Sequence, residues 1–168
     1  MGGAGCRFQR AAVGSTTDVK FADFHVGQAI EAGPYEVGQD EIVRFATVFD
    51  PQWFHVDPTR AKAHRLGGLI ASGWHTCSIA MRLIADAALG GSESFASPGL
   101  RYVKWPAPVR PGDVLRLRAE VLETRVSRRM PALGILVWRW QLFNQSGVEV
   151  LDLETTSLFD LGSTPTGG

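Results

Sequence analysis

The chain contains only two cysteines among its 168 residues, Cys6 and Cys77, and they lie far apart in the sequence. Two widely separated thiols lack the close spacing of a zinc site and suggest no disulfide framework. The sequence also has no apolar run of the roughly 20 residues that span a bilayer. Met1 to Val19 lacks the long apolar core of a secretory signal. We therefore expect a reduced, cytoplasmic protein without a bound metal.

The chain has no excess of charge of either sign. Its 17 Lys and Arg residues balance its 17 Asp and Glu residues, which gives a formal net charge of zero. Such a chain has no global field that attracts nucleic acid or an anionic membrane, so we expect neither as a partner. The absence of net repulsion also leaves self-association unopposed.

The length and composition predict one domain. A chain of 168 residues that is 45% hydrophobic is long enough to bury one well-filled core and short for two. Residues 1–19 are rich in Gly, Ala, Ser and Thr without clear periodicity, which predicts a flexible leader. We expect the folded domain over residues 20–162 and a short flexible tail over residues 163–168.

The segment Gln39–Phe49 predicts a short amphipathic helix, because its apolar residues recur at the spacing of one helical face. These residues are Ile42, Phe45, Ala46 and Phe49. Pro51 disfavours helical geometry at the residue before it, so the helix should end at Asp50. A helix C-terminus carries partial negative charge, and we therefore expect the pKa of the Asp50 carboxyl group to be raised.

Asp50 and His55 are the first candidate site residues. Four residues separate this acid from this imidazole in what the sequence predicts to be a proline-interrupted loop. Such a pair can hold one water molecule between two groups that transfer protons. The structural alternative is that Asp50 caps the turn before Pro51 and that His55 is an ordinary hydrogen-bonded loop residue. The two residues alone favour that alternative.

Two more helices are predicted after this loop. Asp57 followed by Pro58 has the pattern of an N-cap and a first helical residue, which predicts a short helix through about His64. Ser72 is a suitable cap for a longer helix that runs from Gly73 to about Leu89 and stops at two glycines. The side chains of the longer helix are mostly apolar, so it should be surrounded on most sides. Its polar residues form one narrow stripe, namely His75, Ser78, Arg82 and Asp86.

The second half of the chain reads as antiparallel strands. Residues 115–121 alternate strictly and predict a half-buried strand with Leu115, Leu117, Ala119 and Val121 facing inward. Further strands are predicted at Gly33–Val37, Leu100–Trp105, Gly134–Phe143 and Gly147–Phe159. A shift of the alternation at Val150–Leu151 indicates a bulge. The expected fold class is α+β, with a curved antiparallel sheet wrapped around one long central helix.

The start of the longer helix is the second candidate site. The free N–H groups at Ser72 and Gly73 can stabilise negative charge on a carbonyl oxygen, and a glycine there permits close approach. The same residues also make an ordinary helix cap, and without further evidence that is the better interpretation.

Three motifs in a fixed order resemble the MaoC-like dehydratase family, which includes the (R)-specific enoyl-CoA hydratases. The resemblance covers about residues 24–159. The motifs are Phe45-Ala46 with Asp50, His55-x-Asp57-Pro58 and Ala61; Ile70-Ala71-Ser72-Gly73-Trp74; and Val109-Arg110-Pro111-Gly112-Asp113-x-Leu115. Two positions depart from the common family pattern: Gln52-Trp53 replaces an Asn-Pro pair, and Ser72 replaces a His.

The resemblance implies a hot-dog fold and a site that acts on 2-enoyl thioesters. Asp50 and His55 match the family's catalytic pair, and the Gly73 N–H beside Ser72 would bind the thioester oxygen. The implied reaction is reversible hydration of a trans-2-enoyl-CoA to an (R)-3-hydroxyacyl-CoA. Coenzyme A would enter as part of the substrate, with no separate cofactor. The resemblance also implies a homodimer or an assembly of dimers.

Other residues are weaker candidates, and two other functions remain open. An acyl pocket could include Trp53, Phe54 and Trp74, although aromatic residues near a helix start are as often plain core. Arg101, Lys104 and Arg110 could bind coenzyme A phosphates, whereas His25, His64 and His75 are expected to be structural or exposed. The alternatives are an acyl-CoA thioesterase, which releases free coenzyme A, and a non-catalytic subunit that binds acyl thioesters without turnover.

Overall fold

The computed structural model describes residues 19–162. The predicted tail, and the predicted leader apart from Val19, lie outside the described residues. Within the described part no helix is long and apolar enough to cross a membrane.

The helices lie in the first half of the described chain. They are α1 (Gln39–Phe49), α2 (Trp53–Val56), α3 (Pro58–Ala63) and α4 (Gly73–Ile84). A 3-10 turn at Phe21–Asp23 precedes them, and a π-helical turn at Ala85–Leu89 extends α4. Asp57 accepts a hydrogen bond from the backbone N–H of Arg60 and caps α3, as its sequence pattern predicts.

Five strands form one antiparallel sheet in the order β1-β3-β4-β5-β2. They are β1 (Ala29–Glu36), β2 (Ser94–Lys104), β3 (Val114–Val126), β4 (Leu133–Phe143) and β5 (Glu149–Asp160). The predicted inward residues of β3, from Leu115 to Val121, are all buried. The predicted bulge is also confirmed: Leu142 pairs with Leu151 and Phe143 with Glu149, so Val150 is the additional residue.

Helix α4 packs on the inner face of this sheet. Its buried residues Ile79, Ala80, Leu83 and Ile84 join the inward side chains of β3, β4 and β5 in one hydrophobic core. Burial of these apolar surfaces is the main driving force for the arrangement. A five-stranded antiparallel sheet around a central helix is the hot-dog fold that the sequence predicted.

Three local predictions were wrong. Strand β1 begins at Ala29, four residues before its predicted start, and β2 begins at Ser94, six residues before its predicted start. The early part of β2 contains Pro98 and Gly99 and pairs irregularly, which obscures a strand pattern. The predicted loop between Asp50 and Asp57 contains the short helix α2.

Candidate active site

The structure brings Asp50, His55 and Ser72 together from three separate segments. Asp50 ends α1, His55 lies on α2, and Ser72 precedes α4. The hydroxyl of Ser72 donates a hydrogen bond of 2.6 Å to Asp50 Oδ2. The same carboxylate oxygen lies 3.4 Å from Nε2 of His55. The two sequence candidates and the helix cap therefore form one cluster.

The orientation of His55 is fixed by its other ring nitrogen. Nδ1 lies 2.8 Å from the carbonyl oxygen of Ile70. A carbonyl oxygen only accepts, so Nδ1 must carry a proton and donate it. In the neutral ring this leaves the lone pair of Nε2 facing Asp50. The His55 side chain is only 6% exposed, and this burial holds the ring in place.

The expected rise in the pKa of Asp50 was wrong. Hydrogen bonds from Ser72 and from the side-chain amide of Gln52 lower the pKa of this carboxyl group, and the positive charge of a protonated His55 ring lowers it further. Direct donors to the ionised form outweigh both burial and the unfavourable helix end. Gln52, one of the departures from the family pattern, thus contributes to the site by holding the second carboxylate oxygen of Asp50.

Ser72 has two roles at the start of α4. Its Oγ atom accepts a hydrogen bond of 3.3 Å from the N–H of Trp74, so Ser72 is the predicted N-cap. It also donates to Asp50, and a single hydroxyl can do both. The N–H of Gly73 is the first of the helix and has no acceptor within it. The cap therefore joins the carboxylate to the end of α4 whose dipole favours negative charge.

Trp105 covers Gly73, which the sequence did not predict. The indole Nε1 donates a hydrogen bond of 3.0 Å to the Gly73 carbonyl. A Cβ atom at position 73 would lie only 2.5 Å from the indole ring. Trp105 follows β2 and is 32 residues away in sequence, so no local pattern relates it to the site. Gly73 is required here at least for the close approach of this ring.

The weaker candidates lie elsewhere. Trp53 packs against Phe54 and His64, with the Arg60 guanidinium over its ring, while Trp74 is exposed beside Trp105.

The candidate cations have protein partners: Arg101 pairs with Glu154, Lys104 lies over Tyr102, and Arg110 donates to the Leu66 carbonyl. His25 and His64 are exposed. His75, on the polar stripe of α4, is buried at 3% exposure, which agrees with the structural alternative of its prediction.

An apolar cavity of about 440 Å³ lies between α4 and the strands β2, β4 and β5. Cys77 and Met81, one and two helical turns after Gly73, line its helical side, and Phe95 and Leu100 line its β2 side. None of the three aromatic residues that the sequence suggested for an acyl pocket lines this cavity. Its size falls in the range of small-molecule pockets.

Within residues 19–162 no group of three or more His, Cys, Asp and Glu residues is arranged to hold a metal ion. What the cluster can do is position water. A water molecule that donates one hydrogen to Asp50 and the other to His55 Nε2 would present its oxygen lone pair outward.

Comparison with known proteins identifies the family of the chain. The family model of the MaoC like domain matches residues 21–134, more than half of the chain. The chain belongs to the MaoC-like dehydratase family.

Relatives extend the match over most of the fold. The uncharacterized protein YdeM of Bacillus subtilis is 34% identical over 140 residues, which cover 83% of this chain and 98% of YdeM. The 3-hydroxyacyl-thioester dehydratase Z of Mycobacterium tuberculosis is 35% identical over 88 residues, 51% of this chain and 58% of that protein. The crystal structure of the MaoC-like dehydratase from Rhodospirillum rubrum is 33% identical, with a TM-score of 0.78, and covers 85% of this chain and 97% of that one.

Proposed function

We propose that this chain is a hydro-lyase that reversibly adds water to trans-2-enoyl-CoA thioesters and forms (R)-3-hydroxyacyl-CoA. The observation that carries the proposal is the cluster of Asp50, His55 and Ser72 at the N-terminal end of α4. Membership of the MaoC-like dehydratase family supports it, as does the similarity to a 3-hydroxyacyl-thioester dehydratase. The (R) configuration follows from the family resemblance.

Asp50 and His55 activate the water in this proposal. As the water oxygen bonds to C3 of the enoyl group, one member of the pair removes a water proton. The C2–C3 π electrons move toward the thioester carbonyl, and a proton is then delivered to C2. Hydroxide and proton thus add across one double bond, and no redox partner is needed. Either residue can serve as the base, since both face the same water.

The start of α4 stabilises the charge that develops on the substrate. The thioester oxygen becomes enolate-like as the C3–O bond forms. Gly73 is the first residue of α4, so its N–H is free of helical hydrogen bonds and lies at the positive end of the helix dipole. In this proposal it donates to the thioester oxygen. Fixed donors of this kind cost no reorganisation during the reaction, and losing one typically slows catalysis about 100- to 1000-fold.

The cavity along α4 is the best candidate for the acyl chain. It begins one helical turn beyond Gly73, and its lining is mostly apolar. An acyl chain extending from a thioester at Gly73 would exchange water for this apolar surface, which is favourable. The proposal therefore moves the acyl pocket from Trp53, Phe54 and Trp74 to the side chains around Cys77 and Met81.

The proposed unit is a homodimer. Strand β2 is an edge strand, and Phe95 and Leu100 on it are 61% and 45% exposed. Exposed edges with apolar side chains tend to pair with another strand. Pairing of two β2 strands would continue the sheet and cover the open side of the cavity.

Product analysis of the purified chain tests the proposal. Incubation with trans-2-enoyl-CoA thioesters of increasing chain length, followed by liquid chromatography and mass spectrometry, should show a product heavier by one water. Release of free coenzyme A would instead identify a thioesterase. Tight binding of the thioester without any product would identify a non-catalytic binding subunit.

A further inference from the structure

A second polar cluster lies on the face of α4 opposite Cys77 and Met81, the residues that line the apolar cavity. The proposed catalytic scheme does not use this cluster. The hydroxyl of Tyr35 on β1 donates a hydrogen bond of 2.6 Å to Glu41 Oε1 on α1. The same oxygen lies 2.9 Å from Nε2 of His75 on α4. One carboxylate therefore joins three elements of the fold. We call Tyr35, Glu41 and His75 the inner triad.

The carboxyl group of Glu41, at the centre of the inner triad, is ionised. Burial opposes the charge of Glu41, but hydrogen bonds from His75 and Tyr35 outweigh it and lower the pKa of this carboxyl group. Burial and the bond to Glu41 raise the pKa of Tyr35, so its hydroxyl stays protonated and donates. Because an ionised carboxylate only accepts, His75 must donate through Nε2. Charge-assisted hydrogen bonds of this kind are stronger and more directional than neutral ones.

His75 is held more tightly than a surface histidine. It stacks on Phe45 of α1, with ring centroids 4.6 Å apart and an interplanar angle of 12°. Its Nδ1 is buried without a hydrogen-bond partner among the described residues. A buried, unpaired polar atom costs free energy, so His75 is not the residue that packing alone would select at this position.

The inner triad and the catalytic cluster attach α1 to the same turn of α4. Glu41 and Phe45 contact His75, while Asp50 at the end of α1 contacts Ser72. Ser72 caps the first turn of α4 and His75 lies within that turn, on either side of Gly73. The position of Asp50 relative to the Gly73 N–H therefore depends on both attachments.

We propose that the inner triad is a positioning network, in which His75 and Tyr35 hold Glu41 so that α1 presents Asp50 correctly to Ser72 and Gly73. This inference rests on the proposed hydratase function. Its three members are positioning residues that act through Asp50 and contact no substrate. A misplacement of about 1 Å by a distant change can lower a rate about 100-fold.

The test compares two network variants with a matched control. His75→Phe keeps a ring to stack on Phe45 but removes the donor to Glu41. Tyr35→Phe removes only one hydroxyl and provides a milder variant that should fold even where His75→Phe does not. The control is Tyr102→Phe, because Tyr102 donates a hydrogen bond of 3.1 Å to another carboxylate, Asp152, on strands away from α1.

We expect His75→Phe to lower kcat by roughly tenfold, Tyr35→Phe to lower it less, and KM to change little in either. Tyr102→Phe should leave kcat unchanged. In an Asp50→Asn background the network variants should cause almost no further loss, because the residue they position is already inactive. An equal loss in both backgrounds would show a merely structural role and overturn the proposal, as would an unchanged kcat in both network variants.

A second readout separates this inference from the proposed function. The ¹³Cγ signal of Asp50 can be titrated by nuclear magnetic resonance without any substrate. Loosening of α1 should weaken the Ser72 bond, so the pKa of Asp50 should rise in His75→Phe and Tyr35→Phe and stay unchanged in Tyr102→Phe. If the two network variants show this rise and the wild-type protein hydrates no enoyl thioester, the proposed function is refuted and the network is retained. Unshifted titrations in both network variants would overturn the network.

Discussion

At the scale of single residues, Asp50 shows how neighbouring donors override a general helix effect. The residue lies at a helix C-terminus, where the dipole opposes a negative charge. The hydroxyl of Ser72 and the amide of Gln52 nevertheless keep the carboxyl group ionised. Ser72 and Gln52 thus hold an ionised carboxylate beside the ring of His55.

Removal of the Ser72 hydroxyl should therefore change the pH dependence of the proposed hydration. We expect Ser72→Ala to raise the pKa of Asp50 and to lower kcat/KM by roughly tenfold. Since the wild-type pKa is depressed, ionised Asp50 persists as the pH falls through its ordinary range. The acid limb of the kcat/KM profile should move to higher pH in the variant. Ser78→Ala, which removes a hydroxyl bonded to the Trp74 carbonyl, is the control and should not move it.

Gly73 and Trp105 should be coupled in stability. An alanine methyl at position 73 would lie within 3 Å of the indole ring, so Gly73→Ala should destabilise the fold by about 1–2 kcal/mol. In a Trp105→Ala background the same methyl group has space, and its cost should nearly disappear. Urea denaturation of the two single variants and the double variant measures this coupling. Equal costs in the two backgrounds would show that the indole does not restrict position 73.

The sequence identified the residues of the candidate site better than the contacts that hold them in place. Asp50, His55, Ser72 and Gly73 were found because each belongs to a short motif or marks a helix end. The Ile70 carbonyl and Trp105 were not found, because their contacts depend on how distant segments pack. The role of Gln52 was also missed, since its amide acts through a contact that only the folded loop creates.

At the scale of secondary-structure elements, the sheet is joined by a charged link across β2, β4 and β5. Asp152 on β5 accepts hydrogen bonds from the Arg139 guanidinium on β4 and the Tyr102 hydroxyl on β2. The Arg139 bonds lower the pKa of Asp152, and burial only partly opposes them. This carboxylate thus stabilises the folded sheet in its ionised form.

The stability of the sheet should consequently depend on pH. The folded pKa of Asp152 is below the unfolded value of about 3.9. Its stabilisation is present above that value and is lost as the pH falls through the folded pKa. We expect Asp152→Asn to lower the free energy of unfolding by about 1–2 kcal/mol at pH 7 and by less under acid conditions. The exposed pair of Asp86 and Arg82 supplies the control, and Asp86→Asn should cost under about 0.5 kcal/mol.

Elements whose apolar residues recur at a regular spacing were predicted well, whereas short or irregularly paired elements were not. Helix α1 and strand β3 follow clear apolar periodicities, and Ser72 marks the start of α4 as its cap. Helix α2 has only four residues, too few for a period to be detected, and the first part of β2 gains its strand geometry from pairing with β5. Tertiary pairing, and not local preference, determines such segments.

At the scale of the whole molecule, an open edge and an open cavity lie on the same side. The exposed strand β2 borders the apolar cavity, and Met81 of α4 is also exposed there. Contiguous apolar surface of this kind is rarely left in water. The absence of net charge on the chain presents no obstacle to a second copy.

We therefore expect a dimer in solution. Light scattering coupled to size-exclusion chromatography should give twice the chain mass of 18.3 kDa, or a multiple of that dimer. Phe95→Glu, which places a charge on the exposed edge, should shift the population toward the monomer. Val26→Glu, which adds the same charge at an exposed apolar residue in the turn before β1, should leave the dimer intact. A wild-type protein that is monomeric and fully active would contradict this expectation.

The central claim is that Asp50 and His55 act together on one water molecule that adds to an enoyl thioester. Its most direct test is the hydration rate of Asp50→Asn, His55→Ala and the double variant, each confirmed as folded by circular dichroism. We predict that each single change lowers the rate at least about 100-fold and that the double variant is little slower than the slower single one. Near-wild-type turnover in either single variant, or a double variant whose loss equals the product of the two single losses, would contradict the account.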